Sequence, residues 1–163
     1  FYTNYKSQKV NELREHPQVA ACFHWDTLGR QIRLEGIAVD SPASESDEYF
    51  ASRDWGSQIG AWGSDQSAPL ASKQTLRKQV SDRARALGVN VADDLQSVDG
   101  DGGEQPQIAR PDHWGGIRLW PTRVELWIEG ADRIHDRALW SRTLEDKSSG
   151  FEAGPWHGTR LQP

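Results

Sequence analysis

Apolar and polar positions alternate with period two near both ends of this chain, and with a helical period of three to four in its middle. FYTN reads as the end of a strand. SQKVNELREHP then puts Val10 and Leu13 on one helical face, with Ser7 as the expected N-cap and Pro17 after the stop. QVAACFHW is a mostly apolar strand. RQIRLEGIAVD alternates through Ile32 and Leu34 and then Ile37 and Val39, so Gly36 is expected to be a bulge. LGR at 28–30 suits a hairpin turn between these strands. Ser41 before Pro42 predicts a helix carrying SESDEYFASRD, whereas WGSQIGAWGSDQS is too rich in glycine and serine for a long helix. SKQTLRKQVSDRARALG spaces Leu76, Val80, Ala84 and Leu87 as a helix that stops at Gly88. Residues 89–112 lack periodicity and read as a flexible acidic loop. Four strands follow in WGGIRLWPT, RVELWIEG, HDRALWSRT and a segment ending in RLQP, with Pro121 and Gly130 expected as turns.

The expected fold is α+β, a single domain over 1–163 in which an antiparallel sheet or barrel is flanked by helices. Apolar residues at 36% and charged residues at 26% describe an ordinary globular chain. A net charge of -5 argues against a nucleic-acid partner, and no apolar run reaches the roughly 18 residues of a membrane span. The single cysteine, Cys22, cannot form an internal disulfide, and its VAACF neighbours predict a buried, reduced thiol. With no charged-then-apolar leader, the expected location is cytoplasmic. The chain has no methionine and opens directly on a β-prone run, so further strands of the barrel are expected upstream.

Candidate chemistry concentrates in VELWIEGADRIHDR at 124–137. On an extended segment Arg133, His135 and Arg137 would share one face, either as solvated charges on an edge strand or as a set that surrounds an anionic or electron-rich ligand. Trp127 could be core or could wall that site. The five histidines are scattered without ligand spacing, which argues against a metal, and no GxGxxG or GxxxxGK is present.

Glu125, Leu126 and Trp127, followed by Arg133, Ile134, His135, Asp136 and Arg137, resemble the E-[FY]-W…R-[LIVM]-H-[DNE]-R signature of the pyridoxamine 5'-phosphate oxidases. Leu126 stands where the family has an aromatic and is expected to pack inward. YFASRDWGSQIGAWGSDQS at 49–67 is similar to the family's SRPxxSQIGAW stretch, with Asp54 in place of the usual proline. FYTNYKSQK, WDTLGRQIRLEG, WGG at 114–116 and the terminal RLQP follow in the family's order.

The resemblance implies an FMN-binding split β-barrel, antiparallel and Greek-key-like, that binds FMN at a homodimer interface. It puts Tyr2, Thr3, Gln8, Lys9, Gln66 and Ser67 along the FMN and its phosphate, with Gln8 where the family often has arginine. Gln31, Trp127 and Arg137 match positions near the isoalloxazine. Tyr49, Arg53 and Ser57, spaced four and four, match the groups that read the substrate phosphate, while Arg133 and His135 face the substrate ring as catalytic residues. The implied activity is oxidation of pyridoxine or pyridoxamine 5'-phosphate to pyridoxal 5'-phosphate, with O2 as acceptor and hydrogen peroxide as product. Alternatives are a split-barrel flavin oxidase of the phenazine-biosynthesis type and a non-catalytic FMN or pyridoxal phosphate carrier.

Overall fold

A computed structural model describes residues 1–89, 107–148 and 150–163. Most of the expected 89–112 loop, residues 90–106, lies outside the described residues. The chain divides into two compact units, Phe1–Arg14 with Asp40–Ile117, and Glu15–Val39 with Arg118–Pro163.

In the first unit, strand β1 (Tyr2–Asn4) pairs antiparallel with the start of β4 (Trp114–Ile128), Thr3 opposite Gly115. Helix α1 (Gln8–Glu15) buries Val10. Its first turn bonds to the Ser7 carbonyl, but the Ser7 hydroxyl is buried without a partner, so the expected side-chain cap is absent. Helix α2 (Ala43–Ser52) starts one residue later than Ser41–Pro42 predicts, with Pro42 in the cap position. WGSQIGAWG forms a nine-residue helix, α3 (Trp55–Gly63), despite its three glycines. Asp54 supplies what composition hid, accepting the Ser57 N–H at 2.8 Å as an N-cap. Helix α4 (Lys73–Ala86) is capped likewise by Ser72 on Thr75 N. Gly63 lets α3 and α4 touch, since a Cβ there would lie 2.7 Å from Val80. Phe50, Ile59, Val80, Ala84, Val89, Ile108 and Trp114 form the core. Complete burial of Phe50 and Ile59 is worth about 2 kcal/mol each.

In the second unit, β2 (Gln18–Trp25) and β3 (Arg30–Asp40) form an antiparallel hairpin, closed by a 3-10 turn at Asp26–Leu28 and by left-handed Gly29, φ 55°. Strands run in the order β2, β3, β4, β5 (Asp136–Ser141) and β8 (His157–Leu161), while β6 (Leu144–Lys147) and β7 (Gly150–Ala153) make a separate hairpin. Two breaker residues play roles other than those expected. Gly36 is no bulge, because its register opposite Val19 is unbroken; a Cβ there would sit 2.0 Å from the Trp120 carbonyl oxygen. Pro121 is not a turn but lies inside β4, beyond the last β5 rung at Arg123–Ser141, where that ladder asks for no donor. Cys22 is exposed, contrary to expectation, because Val19 and Ala21 take the inner face of β2. Leu126, 36% exposed, alternates with buried Glu125 and so points outward rather than inward. Among the described residues no helix is long and apolar enough to cross a membrane.

Gly36→Ala forces its methyl into neighbouring backbone, which cannot rotate away as a side chain can. A loss of about 3 kcal/mol is expected, read as a lower midpoint in urea unfolding; an unchanged midpoint would contradict the close approach.

Candidate active site

The break between α2 and α3 organises the first unit's cavity. Tyr49 lies in the last turn of α2, Arg53 is extended at the break (φ -75°, ψ 151°), and Ser57 lies in the first turn of α3. The four-and-four spacing therefore crosses two helices rather than running along one. Tyr49, Arg53 and Ser57 nonetheless line one cavity of about 400 Å³, together with Tyr2, Thr3 and Gln66. The Tyr2 and Tyr49 rings stack at 3.8 Å, and Trp114 lies parallel to both. The Arg53 guanidinium sits 4.7 Å over the Trp114 ring, with its Nη1 buried and without a hydrogen-bond partner. An unpaired guanidinium donor held against an aromatic face is built to receive an anion.

Beside this cavity, Lys9 Nζ donates to Thr3 Oγ1 (3.1 Å), and that hydroxyl donates to Gln66 Oε1 (2.8 Å). Gln66 Oε1 also accepts the Asn4 N–H at 3.1 Å. Gln66 and Ser67, the latter left-handed at φ 74°, line an adjoining groove with Gln8. The Gln8 amide is engaged by Glu12 in its own helix, at 2.8 Å. The Thr3 hydroxyl proton is committed to Gln66, but Lys9 has ammonium donors to spare, and these suit a phosphate ester.

In the second unit the ladder aligns three of the predicted residues. Glu129 N donates to Gly29 O at 2.7 Å and Arg33 Nη1 reaches Glu125 Oε2 at 3.3 Å, so the antiparallel rung between them joins Gln31 to Trp127. Trp127 is in turn opposite Arg137. Gln31, Trp127 and Arg137 thus form one row across β3, β4 and β5, an amide, a ring and a cation on one face. Arg137 is held by Nε and Nη2 on Glu125 Oε1 (2.8 and 2.7 Å) and by Nη1 on Gln162 O (3.1 Å). Buried Glu125 therefore fixes two arginines. Its place in the motif was visible in the sequence, but only the cross-strand register shows what it holds.

The Arg133–His135–Arg137 segment is not extended before Asp136, so the expected single face is lost. Ala131–Arg133 form a 3-10 turn in which Asp132 and Arg133 are left-handed (φ 54° and 63°). Gly130 permits the turn, as a Cβ there would overlap the Ile134 carbonyl. Arg133 is exposed. His135 Nδ1 accepts the Gly130 N–H at 3.2 Å, which assigns the ring proton to Nε2 when the ring is neutral. The His135 ring lies 4.7 Å from that of Trp127.

FMN fits these residues by the chemistry of its parts. Each unit by itself suits one part of that cofactor: in the second, a flat ring system with amide-like edges suits the row of Gln31, Trp127 and Arg137, and in the first, a phosphate suits the Lys9 ammonium and the Ser67 hydroxyl. Among the described residues no cluster could hold a metal.

A family model described as pyridoxamine 5'-phosphate oxidase matches residues 1–84, and one described as the pyridoxine 5'-phosphate oxidase C-terminal dimerisation region matches 114–163. The whole chain is 42% identical to a pyridoxine/pyridoxamine 5'-phosphate oxidase of Burkholderia lata and 39% identical to one of Brucella anthropi. It spans 65% and 69% of their lengths. Among solved structures it is similar to PhzG from Burkholderia lata 383 in complex with tetrahydrophenazine-1-carboxylic acid. That likeness has a TM-score of 0.73 at 28% identity, over the whole chain and 67% of PhzG. A pyridoxamine 5'-phosphate oxidase-related, FMN binding protein of Nostoc punctiforme shares the fold, with TM-score 0.63 at 13% identity over 72% of its length.

Proposed function

Because this chain belongs to the pyridoxamine 5'-phosphate oxidase family, whose fold and FMN cofactor it shares, we propose that it is part of a pyridoxal 5'-phosphate synthase. The substrates are pyridoxine 5'-phosphate and pyridoxamine 5'-phosphate, with O2 as acceptor and hydrogen peroxide as product, in a cytoplasmic homodimer. The observation that carries this reading is the cavity of Tyr49, Arg53 and Ser57, with Arg53 Nη1 unpaired. Its donors suit a phosphate monoester, and its stacked rings suit an aromatic vitamer.

When bound, FMN supplies the two-electron acceptor for oxidation at the C4' carbon. The residues supply position and charge. Lys9, placed by Thr3, and Ser67 would hold the cofactor phosphate; Gln31 and Trp127 would line its ring; Arg137, locked by Glu125, would keep a cation beside it. Tyr49, Arg53 and Ser57 anchor the substrate phosphate. Arg133 and His135 hold the substrate ring, with His135 offering Nε2–H because Nδ1 is occupied by Gly130. Such fixed anchoring lowers the entropic part of the barrier.

The likeness to PhzG favours a second reading, oxidation of a carboxylated phenazine-type ring. Supplying the full-length protein and FMN with pyridoxine 5'-phosphate separates the two. Aldehyde and peroxide formed together are the expected result. Turnover of an unphosphorylated ring alone assigns the second reading, and binding without peroxide makes the protein a carrier.

A further inference from the structure

Asp54 is the one carboxylate bonded to a described residue of the phosphate-reading trio, and it stands where the resembled family has proline. Its Oδ1 accepts the Ser57 N–H at 2.8 Å, and its neighbour in the chain is Arg53. Hydrogen bonds from the Ser57 side chain and backbone, helped by the nearby Arg53 charge, hold the Asp54 carboxyl below the usual carboxylate range. It is therefore an anion at neutral pH. A proline could offer neither the charge nor the acceptor.

The consequence is electrostatic. Arg53 is the only charged side chain that lines the cavity among the described residues, and none of the lining residues is acidic. Asp54 does not itself line the cavity, but its carboxylate is bonded to Ser57, which does, and it already takes up the Ser57 N–H, a group an incoming anion could otherwise use. A phosphate monoester brings a charge of about -1.5 to -2 at pH 7, so the Arg53 attraction it meets is reduced by repulsion from a carboxylate bonded to the Ser57 wall of the cavity. A carboxylate, carrying one charge, meets about half that repulsion.

We propose that Asp54 is a specificity-determining residue that weakens capture of a doubly charged phosphate and shifts the cavity toward singly charged, carboxylated aromatic rings. This rests on the reading of the Tyr49–Arg53–Ser57 cavity as the substrate-anion site. Charge and helix capping separate cleanly by substitution. Asp54→Asn removes the charge but keeps a side-chain acceptor for Ser57, whereas Asp54→Ala removes both.

The test is calorimetric titration of the FMN-loaded full chain and both variants with three probes. These are pyridoxal 5'-phosphate, phenazine-1-carboxylate and pyridoxal, the last sharing the aldehyde but lacking the anion. For Asp54→Asn, pyridoxal 5'-phosphate is expected to bind about tenfold tighter, and the carboxylate about threefold tighter, because the energy scales with ligand charge. Pyridoxal binding stays unchanged. Asp54→Ala should show the same order of gains, offset equally for all three probes by any fraying of α3. Asp54→Asn matching the parent chain for pyridoxal 5'-phosphate, or gaining equally on pyridoxal, overturns the inference while leaving the phosphate reading intact. If no chain binds either anionic probe, the phosphate reading falls and the inference falls with it.

Discussion

Arg53→Leu is expected to raise the KM for pyridoxine 5'-phosphate about a hundredfold while kcat changes less than about threefold. The unpaired Nη1 is the cause. In the free protein this donor is buried against Trp114 with no acceptor, so the desolvation it suffers is already present before substrate arrives. The phosphate then gains a charge-assisted bond once the guanidinium turns to present this donor to the cavity it lines. One or two such bonds are worth about 2–3 kcal/mol, which is about a hundredfold in affinity. The folded state loses two cation–ring contacts, to Trp114 and to Phe50, each about 0.5–1 kcal/mol, so the variant should stay folded. Steady-state kinetics with phosphorylated and unphosphorylated vitamers is the check. An equal rise in KM for both rings would mean that Arg53 shapes the cavity rather than reads the phosphate.

The second large effect belongs to Arg133. Its replacement by leucine should slow reduction of bound FMN by the vitamer about a thousandfold, the scale of losing a preorganised charge at a reacting centre. FMN affinity should change less than about twofold, since the row of Gln31, Trp127 and Arg137 and the groups around Lys9 are untouched. Arg133 is exposed in its turn, so the change orphans no buried partner. Leucine also meets the same left-handed backbone that arginine does, so neither residue is favoured there. Stopped-flow flavin absorbance measures the reduction, and titration of the flavin-free chain measures the affinity. Unaltered reduction kinetics would remove Arg133 from the proposed catalytic pair.

Where apolar periodicity alone decides an element, the sequence was a good guide. β3 runs over the residues its alternation marks, and α4 ends where Gly88 predicts. The misreadings fall where a residue has two physical uses. Glycine at 36 serves close approach rather than a bulge, and proline at 121 is tolerated because β5 has already ended. Nine glycine-rich residues become α3 because Asp54 caps them. The hairpin β6–β7 escaped notice because its strands are mostly exposed and carry no alternating apolar face. For the candidate site, residue identities were legible through motif order, but their arrangement was not. The one-face picture of Arg133, His135 and Arg137 assumed an extended backbone, which the Gly130 turn denies. The row of Gln31, Trp127 and Arg137 was likewise invisible, because register between strands is a property of pairing and not of any one segment.

The stack of Tyr2, Tyr49 and Trp114 has an optical consequence. Three near-parallel rings with centroids 3.8 to 6.3 Å apart hold their electronic transition dipoles at fixed mutual angles. Their excitations couple, and rigid coupling of this kind gives a near-ultraviolet circular dichroism signal that vanishes when ring order is lost. Tyr2 comes from a strand of only three residues, which makes that signal a reporter of whether β1 is docked. The walls of the cavity thus carry their own spectroscopic label, read without dye or substitution.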